Sequence, residues 1–140
     1  MPIPIDPNRP IYLQIMEEIK KRAVRGQYPP GSQLPSVREM APEMGVNPNT
    51  IARVYTELER EGFVLTRRGQ GSYITEDANR IEREREILTE AAVKRFVEEV
   101  IALDLQNGHQ KELLEMITHK LAYNRKLSSG ESTDNGDLTP

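Results

Sequence analysis

Guanidinium, amide and hydroxyl side chains form the group of residues in this sequence best suited to binding a polyanion. A guanidinium group donates several hydrogen bonds in one plane, so it can hold a phosphate or read the edge of a guanine. An amide side chain can pair with adenine in the same way. The residues concerned are Arg38, Asn47, Asn49, Thr50, Arg53, Arg67 and Arg68. Whether they act together depends on the elements that position them.

The chain before these residues begins with an extended segment and one amphipathic helix. MPIPIDPNRP contains four prolines in ten residues, which predicts an extended conformation. Apolar residues then recur at every fourth position and predict a helix that ends at Gly26. They are Ile11, Ile15, Ile19 and Ala23. The Pro/Gly-rich segment QYPPGSQLP cannot continue that helix.

A second helix is predicted where Ser36 and Glu39 match the capping box. In this motif a serine hydroxyl and a glutamate carboxylate each accept a hydrogen bond from a backbone N–H at the helix start. The helix should run from Val37 to about Met44. We expect it to be short or bent, because Pro42 lacks an N–H donor and restricts the residue before it.

A third helix follows, because Asn47 is a good N-cap and Pro48 suits the first helical position. Its apolar residues are spaced i, i+3, i+4, i+7 and predict one buried face. They are Ile51, Val54, Tyr55 and Leu58. Arg53 lies on the opposite face. Free backbone N–H groups and the helix dipole favour a phosphate near Asn49 and Thr50.

Two short β-prone runs after Gly62 predict a hairpin with a basic tip. The runs are FVLT and SYIT, and the loop between them is RRGQG. The order helix, helix, tight turn, helix, basic hairpin predicts a winged helix-turn-helix over residues 1–76. In that fold the third helix enters the major groove of DNA and the wing suits a phosphate or minor-groove contact. The alternative for each polar residue is that it only caps a helix or keeps the surface solvated.

The remainder of the chain predicts two further helices, so the fold class is mainly α. Residues 79–106 contain no glycine or proline, and residues 110–124 follow the Asn107-Gly108 break. Both helices carry an apolar face with too little partner surface in their own chain, so we expect residues 77–127 to form a dimerisation region. The interface residues are Leu88, Ala92, Phe96, Val100, Leu103, Leu113, Ile117 and Leu121. The small, polar and acidic residues 128–140 predict a disordered tail.

Composition excludes several classes of protein. The net charge is −3, but residues 1–75 hold ten Lys/Arg against eight Asp/Glu, so the excess of acid lies in the second half. The absence of cysteine excludes disulfides and thiolate metal sites. No apolar run could span a bilayer and no signal peptide is recognisable, so we expect a cytoplasmic protein without a membrane partner. His109 and His119 have no neighbours that indicate catalysis or metal binding, so we expect no enzyme activity, no metal and no cofactor.

Four segments in order give the chain a resemblance to a known family. PIYLQI, GQYPPGSQLPSVREMA, GVNPNTIARVYTELEREGFV and RRGQGSYI resemble the N-terminal DNA-binding domain of the GntR family of bacterial transcription regulators. The match runs from about Pro10 to Ile74. In that family the arginine of the LPS-x-R segment, the start of the recognition helix and the glycine-bearing wing contact the operator. The resemblance therefore implies operator contacts by Arg38, Asn49, Thr50, Arg53, Arg67, Gly69, Gln70 and Gly71, with Ser36 as the cap and phosphate neighbour.

The sequence also departs from that family. Many members have an arginine where this chain has Pro48, and another where it has Ala52, so their base contacts do not transfer. The NPNT variant with a short C-terminal part resembles the YtrA subfamily, in which two C-terminal helices dimerise. About 65 residues follow the wing, too few for the large effector domains of other subfamilies.

The resemblance implies a sequence-specific homodimeric repressor that binds double-stranded operator DNA of pseudo-palindromic sequence and controls transporter genes. The identity of any small-molecule effector stays open. Two alternatives also stay open: a ligand- or metal-responsive regulator that uses the C-terminal helices, and a winged-helix module that binds protein instead of DNA.

Overall fold

The computed structural model describes residues 2–128. These residues form five helices and one two-stranded antiparallel sheet, so the chain is mainly α, as predicted. The elements are α1 (Ile11–Val24), α2 (Val37–Met44), α3 (Pro48–Arg60), β1 (Val64–Arg67), β2 (Gly71–Ile74), α4 (Ala78–Ala102) and α5 (Gln110–Ser128). Ser128 belongs to α5 and not to the tail predicted for residues 128–140, and the rest of that tail lies outside the described residues.

Two compact units divide the described chain inside α4, between Ala91 and Ala92. The boundary predicted from the sequence lies earlier, after residue 76. The difference arises because the first turns of α4 belong to the winged-helix unit. Ile81 joins the core of that unit with 7% of its surface exposed, and Glu84 forms an ion pair with Lys20 at 3.4 Å.

The first unit packs α3 against both α1 and α2, with β1 following directly. The buried faces predicted for α1 and α3 are confirmed, and α2 buries a face as well; Ile19, Met44 and Leu58 are among the side chains that have no exposed surface. Burial of each such side chain stabilises the fold by roughly 1.5–3 kcal/mol. Ile11, the first residue of α1, is the exception and is 46% exposed.

Both ends of α2 form as the sequence predicts. The Ser36 hydroxyl accepts a hydrogen bond from the Glu39 N–H, and the Glu39 carboxylate accepts one from the Ser36 N–H, each at 3.2 Å. Hydrogen bonds from the side chain and backbone of Ser36 hold the pKa of Glu39 below its usual value. The helix is eight residues long, contains Pro42, and ends at Gly45 in the left-handed conformation.

One charged residue of α1 is buried, although it does not belong to the apolar stripe that predicts this helix. Arg22 is only 7% exposed, and its guanidinium donates to the Glu18 carboxylate, the Tyr28 hydroxyl and the Glu43 carboxylate. Burial lowers the pKa of Arg22, but these hydrogen bonds outweigh it and raise the pKa overall, so the group stays charged. The partners lie up to 21 residues away, so helical periodicity could not reveal them.

The second unit consists of the end of α4, a turn and α5. The helix α4 ends at Ala102, earlier than the predicted residue 106, because Asp104 adopts a left-handed conformation (φ 57°) in the turn. Val100 is 9% exposed, whereas no residue of α5 is buried. Large apolar side chains with 40% or more of their surface exposed are Val93, Phe96, Val97, Ile101, Leu103, Leu114, Met116, Leu121, Tyr123 and Leu127. A single copy of this unit therefore leaves most of its apolar surface uncovered.

The helices α4 and α5 are long enough for their apolar character to be checked against that of a membrane span. None of the helices within residues 2–128 is both long and apolar enough to cross a bilayer.

Candidate nucleic-acid interface

The start of α3 is built by Asn47 and Pro48. The Asn47 carboxamide oxygen accepts a hydrogen bond from the Asn49 N–H at 2.8 Å, and the Asn47 carbonyl accepts one from the Thr50 N–H at 2.9 Å. Pro48 has no N–H to offer. The backbone donors that the sequence analysis left free for a phosphate therefore already have acceptors. What remains for a ligand is the exposed Asn49 side chain, the half-buried Thr50 side chain and the positive end of the helix dipole.

Arg53 lies on the exposed face of α3, one turn after Asn49. Its guanidinium carbon lies 3.7 Å from the centre of the Tyr12 ring of α1. This distance indicates a cation–π contact between the two planar groups. Ala52 and Thr56 are also exposed on α3, but the Thr56 hydroxyl donates to the Ala52 carbonyl at 3.0 Å. Residues 48–55 contain no other Lys or Arg, so Arg53 is the only cationic side chain in the first two turns of α3.

Arg38 lies in the first turn of α2, two residues after the N-cap Ser36. It is exposed and makes no hydrogen bond or ion pair with any other residue in the range 2–128. A hydrogen bond of 2.6 Å from the Tyr55 hydroxyl to the Pro35 carbonyl ties α3 to the segment just before α2. Burial raises the pKa of Tyr55, so this hydroxyl stays a donor. Arg38 thus lies at a helix start that is fixed to α3.

The hairpin pairs Val64 with Ile74 and Arg67 with Gly71, so the wing tip consists of the three residues between Arg67 and Gly71. Gly69 adopts φ 77°, and the Gln70 N–H donates to the Arg67 carbonyl at 2.9 Å, which closes the turn. Arg67 stacks over Tyr73 at 4.5 Å and pairs with Glu76 at 3.5 Å. Arg68 and Gln70 are exposed at the tip.

Gln33, from the segment before α2, anchors the wing to the rest of the unit. Its side-chain amide donates to the Gln70 carbonyl at 2.8 Å, and its backbone forms an antiparallel bridge with Tyr73. Ser36, Gln33, Gln70 and Gly71 all line one cleft of about 820 Å³. The structure therefore brings the start of α2 and the wing tip together around one cleft.

Two residues of this surface were missed from the sequence, namely Tyr12 and Gln33. Tyr12 lies one position off the apolar stripe of α1, and Gln33 lies in a Pro/Gly-rich turn. Their partners, Arg53 and Gln70, are 41 and 37 residues away. No local spacing signals contacts over that distance, so only the folded structure identifies them.

Comparisons with known proteins show which family this chain is similar to. The family model described as "Bacterial regulatory proteins, gntR family" matches residues 11–74. An uncharacterized HTH-type transcriptional regulator, YhcF of Bacillus subtilis strain 168, is 47% identical over 110 residues, which are 79% of this chain and 88% of YhcF. The HTH-type transcriptional repressor YtrA of the same strain is 50% identical over 78 residues, which are 54% of this chain and 60% of YtrA. A GntR family transcriptional regulator of known structure from Listeria monocytogenes superposes with a TM-score of 0.71 at 36% identity, covering 82% of this chain and 98% of that one.

The fold and its similarities define a winged helix-turn-helix DNA-binding transcription regulator. The chain belongs to the GntR family of bacterial regulatory proteins. The resemblance identified from the four sequence segments, including its YtrA-like character, is thereby confirmed.

A substitution in the wing tests how it is anchored. Gly71 has φ 114°, and a Cβ atom there would lie 2.8 Å from the Gln33 amide nitrogen. We expect Gly71→Ala to lower the free energy of unfolding by about 1–3 kcal/mol, because it strains the backbone and displaces the amide from the Gln70 carbonyl. Urea denaturation at fixed protein concentration measures the change.

Gly69→Ala is the matched control for this wing substitution. It shares the positive φ, but its Cβ would meet nothing within 4 Å. It should cost only the backbone strain, about 1 kcal/mol. The Gly71 cost should also fall in a Gln33→Ala background, where the displaced amide is absent. Equal costs for the two glycines, or no relief in that background, would contradict this account.

Proposed function

We propose that this protein is a cytoplasmic homodimeric repressor that binds a pseudo-palindromic operator. In this proposal residues 1–76 read DNA, residues 77–127 dimerise, and the protein carries neither catalytic activity nor a cofactor. The observation that carries the proposal is that one chain presents both exposed arginines on a winged helix and a large uncovered apolar surface in its second unit. The first suits a phosphate backbone, and the second suits a second copy of the chain.

The proposed DNA contacts divide into those that position the protein and those that read sequence. Arg38, Arg67 and Arg68 supply charge for phosphates from the start of α2 and from the wing. Arg53 is the candidate for a base edge, because it lies in the part of α3 that enters a major groove. The complete proposed contact set is Ser36, Arg38, Asn47, Asn49, Thr50, Arg53, Arg67, Arg68, Gly69, Gln70 and Gly71.

The proposed dimer rests on the exposure of the predicted interface residues. Leu103 and Leu121 are 70% and 67% exposed, and Phe96 is 40% exposed, so a single copy leaves these large apolar side chains uncovered. Ala92 is exposed as well, and Leu88, Leu113 and Ile117 are half-buried. Val100 is nearly buried already, so it would contribute least to a partner.

A two-fold symmetric dimer makes a geometric demand on the operator. Two copies of α3 that enter successive major grooves on one side of the duplex lie about 34 Å apart. The operator would then contain two inverted half-sites about one helical turn apart. The symmetry of the protein and that of the DNA would match.

Arginine substitutions test the DNA-binding surface. We expect Arg53→Ala to weaken binding by about five- to one-hundredfold, because a base contact is lost. Arg38→Ala should weaken specific and non-specific binding alike and should flatten the salt dependence of the affinity. Fluorescence polarisation with a duplex that the protein selects from a randomised library measures both effects.

Arg25→Ala is the charge-matched control, because Arg25 is exposed at the far end of α1 and outside the proposed surface. It should bind close to parental affinity. If Arg53→Ala and Arg38→Ala bind as well as Arg25→Ala, the proposed contacts are wrong.

A charge placed in the apolar face of α5 tests the dimer. We expect Leu121→Glu to weaken self-association by about a hundredfold or more, because each copy loses the burial of one leucine and the change occurs twice in a symmetric interface. Sedimentation velocity over a range of protein concentrations measures the dissociation constant. Lys120→Glu is the control, since it adds the same carboxylate at the preceding exposed position. A parent protein that is monomeric at micromolar concentration would refute the proposal outright.

The sign of regulation is tested in cells with a fluorescent reporter whose promoter carries the selected duplex. We expect expression of the protein to lower fluorescence, and expression of Arg53→Ala to lower it much less. The name of the related YtrA, a transcriptional repressor, supports this direction. A rise in fluorescence would make the protein an activator. The YtrA-like resemblance extends the proposal to transporter genes, and chromatin immunoprecipitation that finds no bound site at such genes would remove that part.

A further inference from the structure

Tyr12 holds the arginine that the proposed function assigns to base reading. The Arg53 guanidinium carbon lies over the Tyr12 ring at 3.7 Å, the closest of three such contacts among residues 2–128. The two residues come from different helices, α1 and α3, which pack directly against each other. The contact therefore fixes the direction of a long side chain that would otherwise sample many rotamers.

The other two stacked arginines have their donors engaged by carboxylates. Arg67 pairs with Glu76 at 3.5 Å, and Arg80 pairs with Glu84 at 2.8 Å. Arg53 forms no ion pair or hydrogen bond with any residue that the structure describes. Its natural partner would be Glu57, four residues later on the same helix face, but Glu57 bonds Arg60 at 3.0 Å instead. Of the three stacked arginines among residues 2–128, Arg53 is the one whose N–H groups stay available.

We propose that Tyr12 is a positioning residue for DNA recognition, and that its ring orders Arg53 so that the guanidinium edge is presented to a base in the major groove. This inference rests on the proposed function of Arg53. A stacked guanidinium uses its face for the ring and leaves its in-plane donors for a second partner. Those donors are the ones that pair with the O6 and N7 atoms of a guanine, which is the base that this geometry favours.

The ring itself is held in place, which is necessary if it is to order another side chain. Tyr12 is half-buried and packs against the hydrophobic core of the winged-helix unit. Ile15 in the next turn of α1 and Ile51 in α3 are both fully buried, so the two helices cannot rotate independently. Arg53 is thus ordered before DNA arrives, and less rotamer freedom is lost on binding.

Substitutions of Tyr12, combined with Arg53→Ala, test the inference. The probe is the duplex that the parent protein selects from a randomised library, and a scrambled duplex of equal length reports non-specific binding. We expect Tyr12→Phe to bind like the parent, because it keeps the aromatic face. Tyr12→Leu should bind the selected duplex about two- to fivefold more weakly and the scrambled duplex unchanged, because the stacking alone is lost. Adding Tyr12→Leu to Arg53→Ala should cause no further loss.

Thermal melts followed by circular dichroism establish that each variant is folded at the assay temperature. Tyr12→Met serves in place of Tyr12→Leu if the latter is not, because it fills the half-buried site with a flexible side chain and lacks the ring face. The inference is overturned if the leucine or methionine variant binds like the parent, if Tyr12→Phe is equally weak, or if the losses at Tyr12 and Arg53 simply add. In those three cases a loss caused by Arg53→Ala still supports the proposed function. If Arg53→Ala binds like the parent, the base-reading role and the inference fail together.

Discussion

Ile51, Val54 and Leu58, which have no exposed surface, fix the rotation of α3 about its own axis. Burial of each contributes roughly 1.5–3 kcal/mol, so turning the helix by one residue would lose an amount comparable with the whole stability of a small domain. Because an α-helix places residues at 100° intervals, this burial also decides which side chains point outward. Arg53 is exposed for the same reason that Val54 is buried. The core thus determines which side of α3 is exposed as well as the stability of the fold.

Hydrogen bonds and packing connect the other parts of the proposed surface, which are the start of α2 and the wing, to α3. The Tyr55 hydroxyl fixes the Pro35 carbonyl, and with it the start of α2. The turn after α3 leads at once into β1, so the hairpin begins from a buried Phe63. Gln33 then ties the wing tip to the segment before α2. The start of α2, α3 and the hairpin are therefore each connected to the other two, so a shift in any one of them would disturb the others.

Local signals in the sequence were enough to predict the elements and their faces. The capping box at Ser36, the end of α2 at Met44 and the Asn47-Pro48 helix start all formed as expected, because each depends on atoms within four residues. Contacts between distant residues could not be predicted in this way. The burial of Arg22, the stacking of Tyr12 on Arg53 and the Gln33–Gln70 hydrogen bond each need the tertiary fold. The expectation of free backbone N–H groups at the start of α3 was also wrong, since Asn47 accepts hydrogen bonds from the N–H groups of Asn49 and Thr50.

Under the proposed function, the absence of arginine at positions 48 and 52 gives the Tyr12–Arg53 contact more weight than it would have in a helix with several arginines. A helix with several arginines can bind DNA through several contacts even if each side chain is imperfectly ordered, because each contact adds affinity on its own. A helix with one arginine in its first two turns gains specificity only if that group is held close to the geometry a base requires. The arginines that the proposal assigns to phosphates would not compensate, since phosphates are the same at every base pair. Under the proposed function, selectivity for one operator would therefore depend on order at Arg53, and charge at Arg38 and in the wing would add affinity without discrimination.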